Sequence, residues 1–201
     1  MKTIQRCCIA ALCLVAVPVF ADISALVTDC DSCHGKNGVS THSDIPTVAG
    51  YSAYYMEESL NIYKEKGRPC PEVAYPAGAN KDKKTTMCDA VKALTGAQIT
   101  EISEHYADLP FVAAKQEFDA ALAKKGEALH ELHCVKCHED GGSSPDDDAG
   151  ILAGQWMPFL MHQMAEYKAG KRPMDEKMKP KIDALSDEEI KALVNYYGSM
   201  Q

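Results

Sequence analysis

The sequence has no hydrophobic run long enough to cross a membrane. Its longest apolar stretch, residues 7–17, falls short of the roughly 20 residues that a spanning helix requires. Lys2 and Arg6 precede this stretch, and residues 19–21 follow it with small side chains at the two positions that a signal peptidase reads. We therefore predict a cleaved signal peptide over residues 1–21, rather than a membrane anchor, and a periplasmic mature protein.

The chain also lacks an excess of positive charge. It carries 21 Lys and Arg residues against 29 Asp and Glu residues, which gives a formal net charge of -8. Residues 1–21 hold two basic residues and no acidic ones, so their removal would lower the charge to -10. A surface of this sign predicts no binding to nucleic acids or anionic lipids, because both attract basic proteins.

No segment shows the strict alternation of apolar and polar residues that is typical of a half-buried strand. Apolar residues recur at helical spacing instead, and Ser186 with Glu189 matches a capping box that opens the last helix. The pattern therefore predicts an all-α fold, with helices over residues 54–64, 95–106, 118–133, 158–168 and 186–197.

Two copies of the motif CxxCH stand out among the cysteines. On a helical turn, two cysteines three apart can bind the two vinyl groups of one haem, and the adjacent histidine then binds the iron. A zinc or thiol-redox site is the alternative for a single CxxC. Two copies that both end in histidine predict two covalently bound haem c groups instead. The copies are Cys30, Cys33 and His34, and Cys134, Cys137 and His138.

The two motifs belong to an internal repeat. A shift of 104 positions superposes Cys30 on Cys134 and continues without a gap to a shared proline. Beyond this proline the shift becomes 91 positions and superposes Met87 on Met178. The repeat predicts two tandem class I cytochrome c domains, at residues 22–110 and 118–201, joined by a linker at residues 111–117.

A histidine on one side of each iron leaves a second axial position to fill. Met87 and Met178 are the methionines that the repeat superposes, and a thioether ligand gives a six-coordinate electron carrier. We therefore predict His34 with Met87 at the first iron, and His138 with Met178 at the second. Met174 is the alternative in the second domain. Histidine ligands are a further alternative, but none of the remaining candidates recurs in the other copy: His42, His105, His130, His133 and His162.

The loop before the axial methionine is 13 residues longer in the first domain than in the second. Cys70 opens this insert, and Cys88 follows Met87 directly. In an oxidising compartment we predict a disulfide between Cys70 and Cys88, which would tether the loop that presents Met87. Two free thiols or a redox-active pair are the alternative.

Four other residues lie at positions where they could contact haem. Tyr51 and Trp156 lie next to superposed Ala-Gly pairs, where haem contacts and ordinary core packing are both possible. Arg68 and Arg172 superpose, and they could either pair with haem propionates or cap helix ends. The sequence leaves both pairs of alternatives open.

The arrangement resembles the periplasmic dihaem carrier cytochromes, and the second half resembles the cytochrome subunit of flavocytochrome c sulfide dehydrogenase. That resemblance implies that a tightly bound FAD flavoprotein oxidises sulfide and passes electrons to the haems, which hand them to a soluble acceptor. It implies no bond chemistry and no catalytic residue in this chain. The residues that carry it are Lys115-Gln116, Phe118-Asp119, the stretch Ile151-Leu152-Ala153-Gly154-Gln155-Trp156, Arg172-Pro173-Met174 and Lys177-Met178.

Three functions remain open at this point. The resemblance favours the haem subunit of a sulfide dehydrogenase. The second function is a freestanding dihaem carrier that delivers electrons to a terminal oxidase or another reductase. The third is a haem enzyme with one open iron, such as a peroxidase. Met87 and Met178 disfavour the third, because such an enzyme needs an accessible coordination site.

Overall fold

The computed structural model describes residues 23–201. The predicted signal peptide, residues 1–21, lies outside this range. Within residues 23–201, no helix combines the length and the apolar character needed to cross a membrane.

Four helices build the first half of the chain. Capping side chains define where three of them begin, since Ser52, Thr86 and Thr95 each accept a hydrogen bond from a backbone N–H of the first turn. Thr95 and Gln98 complete a capping box. The helices are α1 (Ser24–His34), α2 (Ala53–Lys64), α3 (Met87–Val91) and α4 (Gly96–Ala107).

Four more helices build the second half in the same order. Asp119 caps the first of them, so this helix begins at Ala120 and not at residue 118. The capping box predicted for Ser186 and Glu189 is confirmed at the last one. The helices are α5 (Ala120–His133), α6 (Met157–Lys168), α7 (Lys179–Ala184) and α8 (Asp187–Ser199).

The all-α prediction is confirmed, with one small exception in the insert. Two strands of two residues, β1 (Val73–Ala74) and β2 (Lys84–Thr85), pair antiparallel, with Val73 opposite Thr85. Strands this short contain no alternation that a sequence pattern could reveal. The insert is therefore a hairpin rather than an irregular loop.

Each half has its own hydrophobic core, and its last helix supplies the most buried side chains. Ile99 and Tyr106 of α4 are buried in the first core, and Ile190 and Tyr197 of α8 are buried in the second. These are the positions that the shift of 91 superposes. The internal repeat is therefore a repeat of packing as well as of sequence.

Buried polar contacts hold the two halves together. The Thr47 N–H donates to Gln155 Oε1 at 3.0 Å, and Gln155 Nε2 donates to Thr47 O and to Tyr51 Oη, both at 2.9 Å. Trp156 Nε1 donates to Ser40 O at 3.1 Å. Because a buried polar group is costly unless it is paired, these bonds specify how the halves fit together.

The predicted linker, residues 111–117, is anchored to the second half. The N–H of buried Ala114 donates to Gly154 O at 2.7 Å. Gln116 Nε2 donates to Gln155 O at 2.8 Å, and Gln116 Oε1 accepts from the Met157 N–H at 2.9 Å. The boundaries of the two domains stay predictions, but this segment is part of the packed structure.

Candidate functional site

The last turn of α1 presents the first CxxCH motif to a large pocket. Residues i, i+3 and i+4 share one face of a helix, and Cys30, Cys33 and His34 accordingly line the same wall. Met87, the first residue of α3, lines the pocket as well. The fold thus brings together the four residues predicted for the first site, although Met87 is distant from the motif in sequence.

This pocket is much larger than the voids left by ordinary packing. Its volume is about 220 Å³, whereas one water molecule needs about 10–15 Å³ on the same measure. Close-packed cores contain few voids larger than a water molecule. Apolar side chains such as Met56, Leu60 and Val91 contribute to the wall. The size and the lining suit a large, mainly apolar prosthetic group.

His34 is oriented by a hydrogen bond to the backbone. Its Nδ1 lies 2.9 Å from Pro46 O and donates to it, which leaves the lone pair on Nε2. Burial lowers the pKa of His34, so the ring is held in the neutral form that binds a metal. A histidine with one nitrogen tied to a carbonyl is typical of a metal ligand.

The thiols beside His34 are held protonated. Burial, together with the charges of Asp29 and Asp31, raises the pKa of Cys30 to about 12. Burial also raises the pKa of Cys33. Reactive thiols are thiolates in environments that lower the pKa. The surroundings of this motif therefore disfavour a reactive thiol pair.

The second CxxCH motif follows α5 instead of lying inside a helix. Residues 134–138 form turns, in which the His138 N–H donates to Cys134 O at 3.0 Å. Cys134 is half-buried, whereas Cys137 is exposed. Burial lowers the pKa of His138, as it does for His34. The motif thus forms a single hydrogen-bonded turn after α5, which ends at His133.

Two methionines of the second half lie beside its core. Met178 directly precedes α7, and Met174 lies in the loop before it. Both are half-buried and pack against the same cluster of side chains. The choice of Met178 over Met174 as the axial ligand therefore stays a prediction that rests on the repeat.

Comparison with known proteins identifies the kind of protein. Residues 121–196 match the family described as cytochrome C oxidase, cbb3-type, subunit III. The chain thus resembles c-type cytochromes. It is 27% identical over 183 residues to cytochrome c4 of Stutzerimonas stutzeri, a match that covers 85% of this chain and 83% of that protein. It is also 27% identical over 175 residues to the thiosulfate dehydrogenase electron acceptor of S. stutzeri (strain A1501). This match covers 85% of this chain and 78% of that protein.

The fold of the cytochrome is that of solved cytochrome c4 structures. Reduced recombinant cytochrome c4 from Pseudomonas stutzeri matches it with a TM-score of 0.71 at 23% identity, covering 90% of this chain and 99% of that one. Cytochrome c4 of Acidithiobacillus ferrooxidans gives a TM-score of 0.67 at 23% identity, covering 85% and 98%. The chain thus has the fold of two tandem class I cytochrome c domains, and its similarity to these cytochromes implies covalently bound haem c.

The first pocket fits a haem held by the predicted residues. Cys30 and Cys33 would form the thioether bonds, and His34 Nε2 and the Met87 sulfur would bind the iron. The neutral, oriented imidazole and the apolar lining support this assignment. In the second domain the corresponding assignment stays a prediction from the sequence: Cys134, Cys137, His138 and Met178.

The two superposed arginines meet where the domains touch. Arg68 Nη2 and Arg172 Nη1 both donate to Gln163 Oε1, at 2.5 and 2.7 Å, and Arg172 Nη2 donates to Tyr55 Oη at 3.1 Å. Burial and the charge of Arg172 lower the pKa of Arg68. Arg68 Nε is buried without a partner among the described residues, and both guanidinium groups line the first pocket. A haem propionate would satisfy this site, and we favour that interpretation over helix-end capping.

Three further residues belong to the site, and no motif in the sequence indicates them: Pro46, Tyr55 and Gln163. They orient His34 or the arginine pair through contacts between distant segments. The repeat provided no signal, because the shift of 104 pairs Pro46 with Gly150 and pairs the other two with residues of different types.

The two aromatic candidates have different positions. Tyr51 lines the first pocket and also bonds to Gln155 across the domain interface. Trp156 bonds to Ser40 O at that interface. Both residues thus form a hydrogen bond between the domains, but of the two only Tyr51 also lines the first pocket.

Cys70 and Cys88 form a disulfide, with their Cα atoms 5.8 Å apart. Replacing both by serine is expected to lower the free energy of unfolding of the first domain by about 3 kcal/mol, because the unfolded chain regains the freedom of the closed loop. Urea unfolding of the haem-loaded protein, followed by haem absorbance, measures this. An unchanged free energy, or two thiols that can be alkylated in the native oxidised protein, would contradict the disulfide.

Proposed function

We propose that this cytochrome is a periplasmic two-haem electron carrier that accepts electrons from a dehydrogenase of inorganic sulfur compounds and passes them to a separate redox protein. The observation that carries the proposal is the packing of two similar halves, each with a CxxCH motif, across one buried interface. The wall of the first pocket includes residues of both domains, among them Tyr51, Tyr55 and Arg172. The first haem would therefore lie at the boundary with the second domain.

Bound haem supplies one-electron redox chemistry, and the chain supplies its environment. Pro46 O holds the His34 ring in one tautomer, and apolar side chains exclude water from the pocket. Arg68 and Arg172 provide positive charge at the boundary between the domains. These residues would orient the ligand of the haem iron and set the polarity and charge around the haem. The chain itself makes or breaks no bond of a substrate.

The names of relatives support a sulfur-oxidising donor. Besides the S. stutzeri protein, the thiosulfate dehydrogenase electron acceptor of Thiomonas intermedia (strain K12) is 24% identical over 157 residues, covering 73% of this chain and 65% of that protein. We therefore propose thiosulfate dehydrogenase as the donor. The resemblance of the second half to the flavocytochrome c subunit supports a narrower second candidate, an FAD flavoprotein that oxidises sulfide. The relatives named cytochrome c4 are compatible with a freestanding carrier.

The donor can be identified by mixing the purified, oxidised cytochrome with each candidate enzyme and its substrate. Thiosulfate with thiosulfate dehydrogenase is expected to reduce the haems rapidly, whereas either component alone leaves them oxidised. Sulfide is tested in parallel with and without the flavoprotein, since sulfide can reduce haem directly. If sulfide with the flavoprotein reduces the haems and thiosulfate with thiosulfate dehydrogenase does not, the sulfide dehydrogenase subunit is favoured. No enzyme-dependent reduction by either pair would contradict a sulfur-oxidising donor.

A further inference from the structure

The hairpin insert, residues 70–88, lies directly on the first haem-binding motif. Asn80 Nδ2 and Tyr75 Oη both donate to the carboxylate of Asp29, each at 3.4 Å. Gly78 approaches α1 so closely that a Cβ at this position would overlap Ser32 Oγ. Since Ser32 lies between Cys30 and Cys33, the hairpin covers the turn that attaches the first haem.

The hairpin also forms part of the pocket wall. Pro71, Val73, Tyr75 and Thr85 line the pocket, and Tyr75 is only 9% exposed. The disulfide between its ends limits how far this wall can move. A protein partner that approaches the motif of the first domain therefore meets the hairpin before it meets the pocket.

The second domain leaves the middle of its motif uncovered. Its connection before the axial methionine is 13 residues shorter, so the second copy has no counterpart of the hairpin. The position equivalent to Ser32 is Lys136, which is exposed. Leu132, four residues before Lys136, is 71% exposed. This is the highest value for a large apolar side chain in residues 23–201. An apolar contact surface is thus available beside the second motif.

Acidic residues surround this open surface. Glu131 precedes the motif, and Glu139 and Asp140 follow it, all three exposed. The loop with Asp146 is held close by, because the neighbouring Asp147 accepts a hydrogen bond from the Glu139 N–H at 2.7 Å. The three exposed acidic side chains outweigh the single charge of Lys136, so this surface around Leu132 is complementary to a partner with a basic face.

We propose that the hairpin insert shields the first haem edge from protein partners, and that the cytochrome exchanges electrons through the second domain with a redox protein that presents a basic face. The proposal rests on the electron-carrier role but does not depend on which enzyme is the donor. One electron at a time passes between the partner and the second domain, and the first domain exchanges electrons through the second.

The shield is tested by Gly78→Ala in the haem-loaded protein. The added methyl group would overlap Ser32 Oγ and lie 3.0 Å from Ser32 Cβ, so the Ser32 side chain or the hairpin must shift. Gly170→Ala is the matched control, because Gly170 also has a positive φ (64°, against 76° for Gly78) but a Cβ there meets nothing within 4 Å. The measurements are stopped-flow reduction by dithionite and hydrogen exchange of the amides of residues 30–34.

Gly78→Ala is expected to accelerate reduction of the first haem several-fold and to speed exchange at residues 30–34, while Gly170→Ala changes neither. Repeating the kinetics with Met178→His assigns the two phases, because it removes sulfur ligation from the second haem alone. A second variant, in which residues 70–86 are replaced by the four residues 174–177, should show a larger acceleration. First-haem rates that stay unchanged in both variants would overturn the shield.

The open surface is tested with a basic single-haem cytochrome c as the electron acceptor. Glu139→Gln with Asp140→Asn is expected to slow electron transfer several-fold at low ionic strength and to weaken its salt dependence. Glu104→Gln with Asp108→Asn is the control, since it removes two exposed charges from the first domain. Equal effects of the two pairs would overturn the proposed surface. Slower transfer to this acceptor after hairpin replacement would show that the hairpin is a docking element, and would overturn the shield.

Discussion

Replacing Met178 by alanine is expected to lower the reduction potential of the second haem by on the order of 0.1–0.3 V. A thioether ligand raises the potential of haem iron, so its loss favours the oxidised state. Met178 is the residue that superposes on Met87 in the repeat, and Met87 lines the pocket of the first motif. The same change at Met87 is expected to act on the first haem by a similar amount.

Met174→Ala is the matched control for this prediction. Met174 and Met178 are side chains of the same type, both half-buried, and both packed against the second core. Redox titration of the haem-loaded variants, followed by haem absorbance, reports the potential, and the sulfur-to-iron charge-transfer band of the oxidised protein reports the ligand. A weaker band in Met174→Ala but not in Met178→Ala would identify Met174 as the ligand instead.

Gly126→Ala is expected to lower the free energy of unfolding of the second domain by about 3 kcal/mol or more. Gly126 lies within α5 at the point where this helix crosses α8, and a Cβ there would overlap the carbonyl oxygen of Ala192. Because the obstacle is backbone rather than a flexible side chain, the two helices would have to separate. Their contact positions the second motif, which directly follows α5.

Gly96→Ala provides the control for a glycine within a helix. Gly96 is the first residue of α4, and a Cβ there meets nothing within 4 Å. Replacing it should leave stability unchanged or raise it slightly, because alanine restricts the unfolded chain. Urea unfolding of both haem-loaded variants measures the difference. Similar stability of the two variants would show that α5 and α8 do not need this close approach.

The sequence predicted the features that depend on neighbouring residues. The capping box of Ser186 and Glu189 and the helical periodicity both arise within one or two turns of a single helix. The exceptions have local causes as well. Asp119 moved the start of α5 by two residues, and the hairpin in the insert is too short to show a strand pattern.

The repeat allowed a prediction about residues far apart in sequence. A ligand of the first haem is expected to have an equivalent residue in the second copy, and this requirement reduces the number of candidates. It selected Met87, and the fold places that side chain at the same pocket as His34. It also aligned Arg68 with Arg172, but it did not show that both would reach Gln163. Superposition identifies equivalent positions within the two domains, whereas a contact between the domains depends on how they pack.

The sequence by itself thus determined the two CxxCH motifs and the helical repeat, and it predicted the pairing of each motif with a methionine. These follow from covalent spacing and from helical periodicity, both of which act over short stretches of chain. Only the tertiary structure decided that Pro46 orients His34, that the arginines converge at the interface, and that the hairpin covers the first motif while Lys136 in the second is exposed. Each of these results from contacts between segments far apart in sequence, which form only when the chain packs.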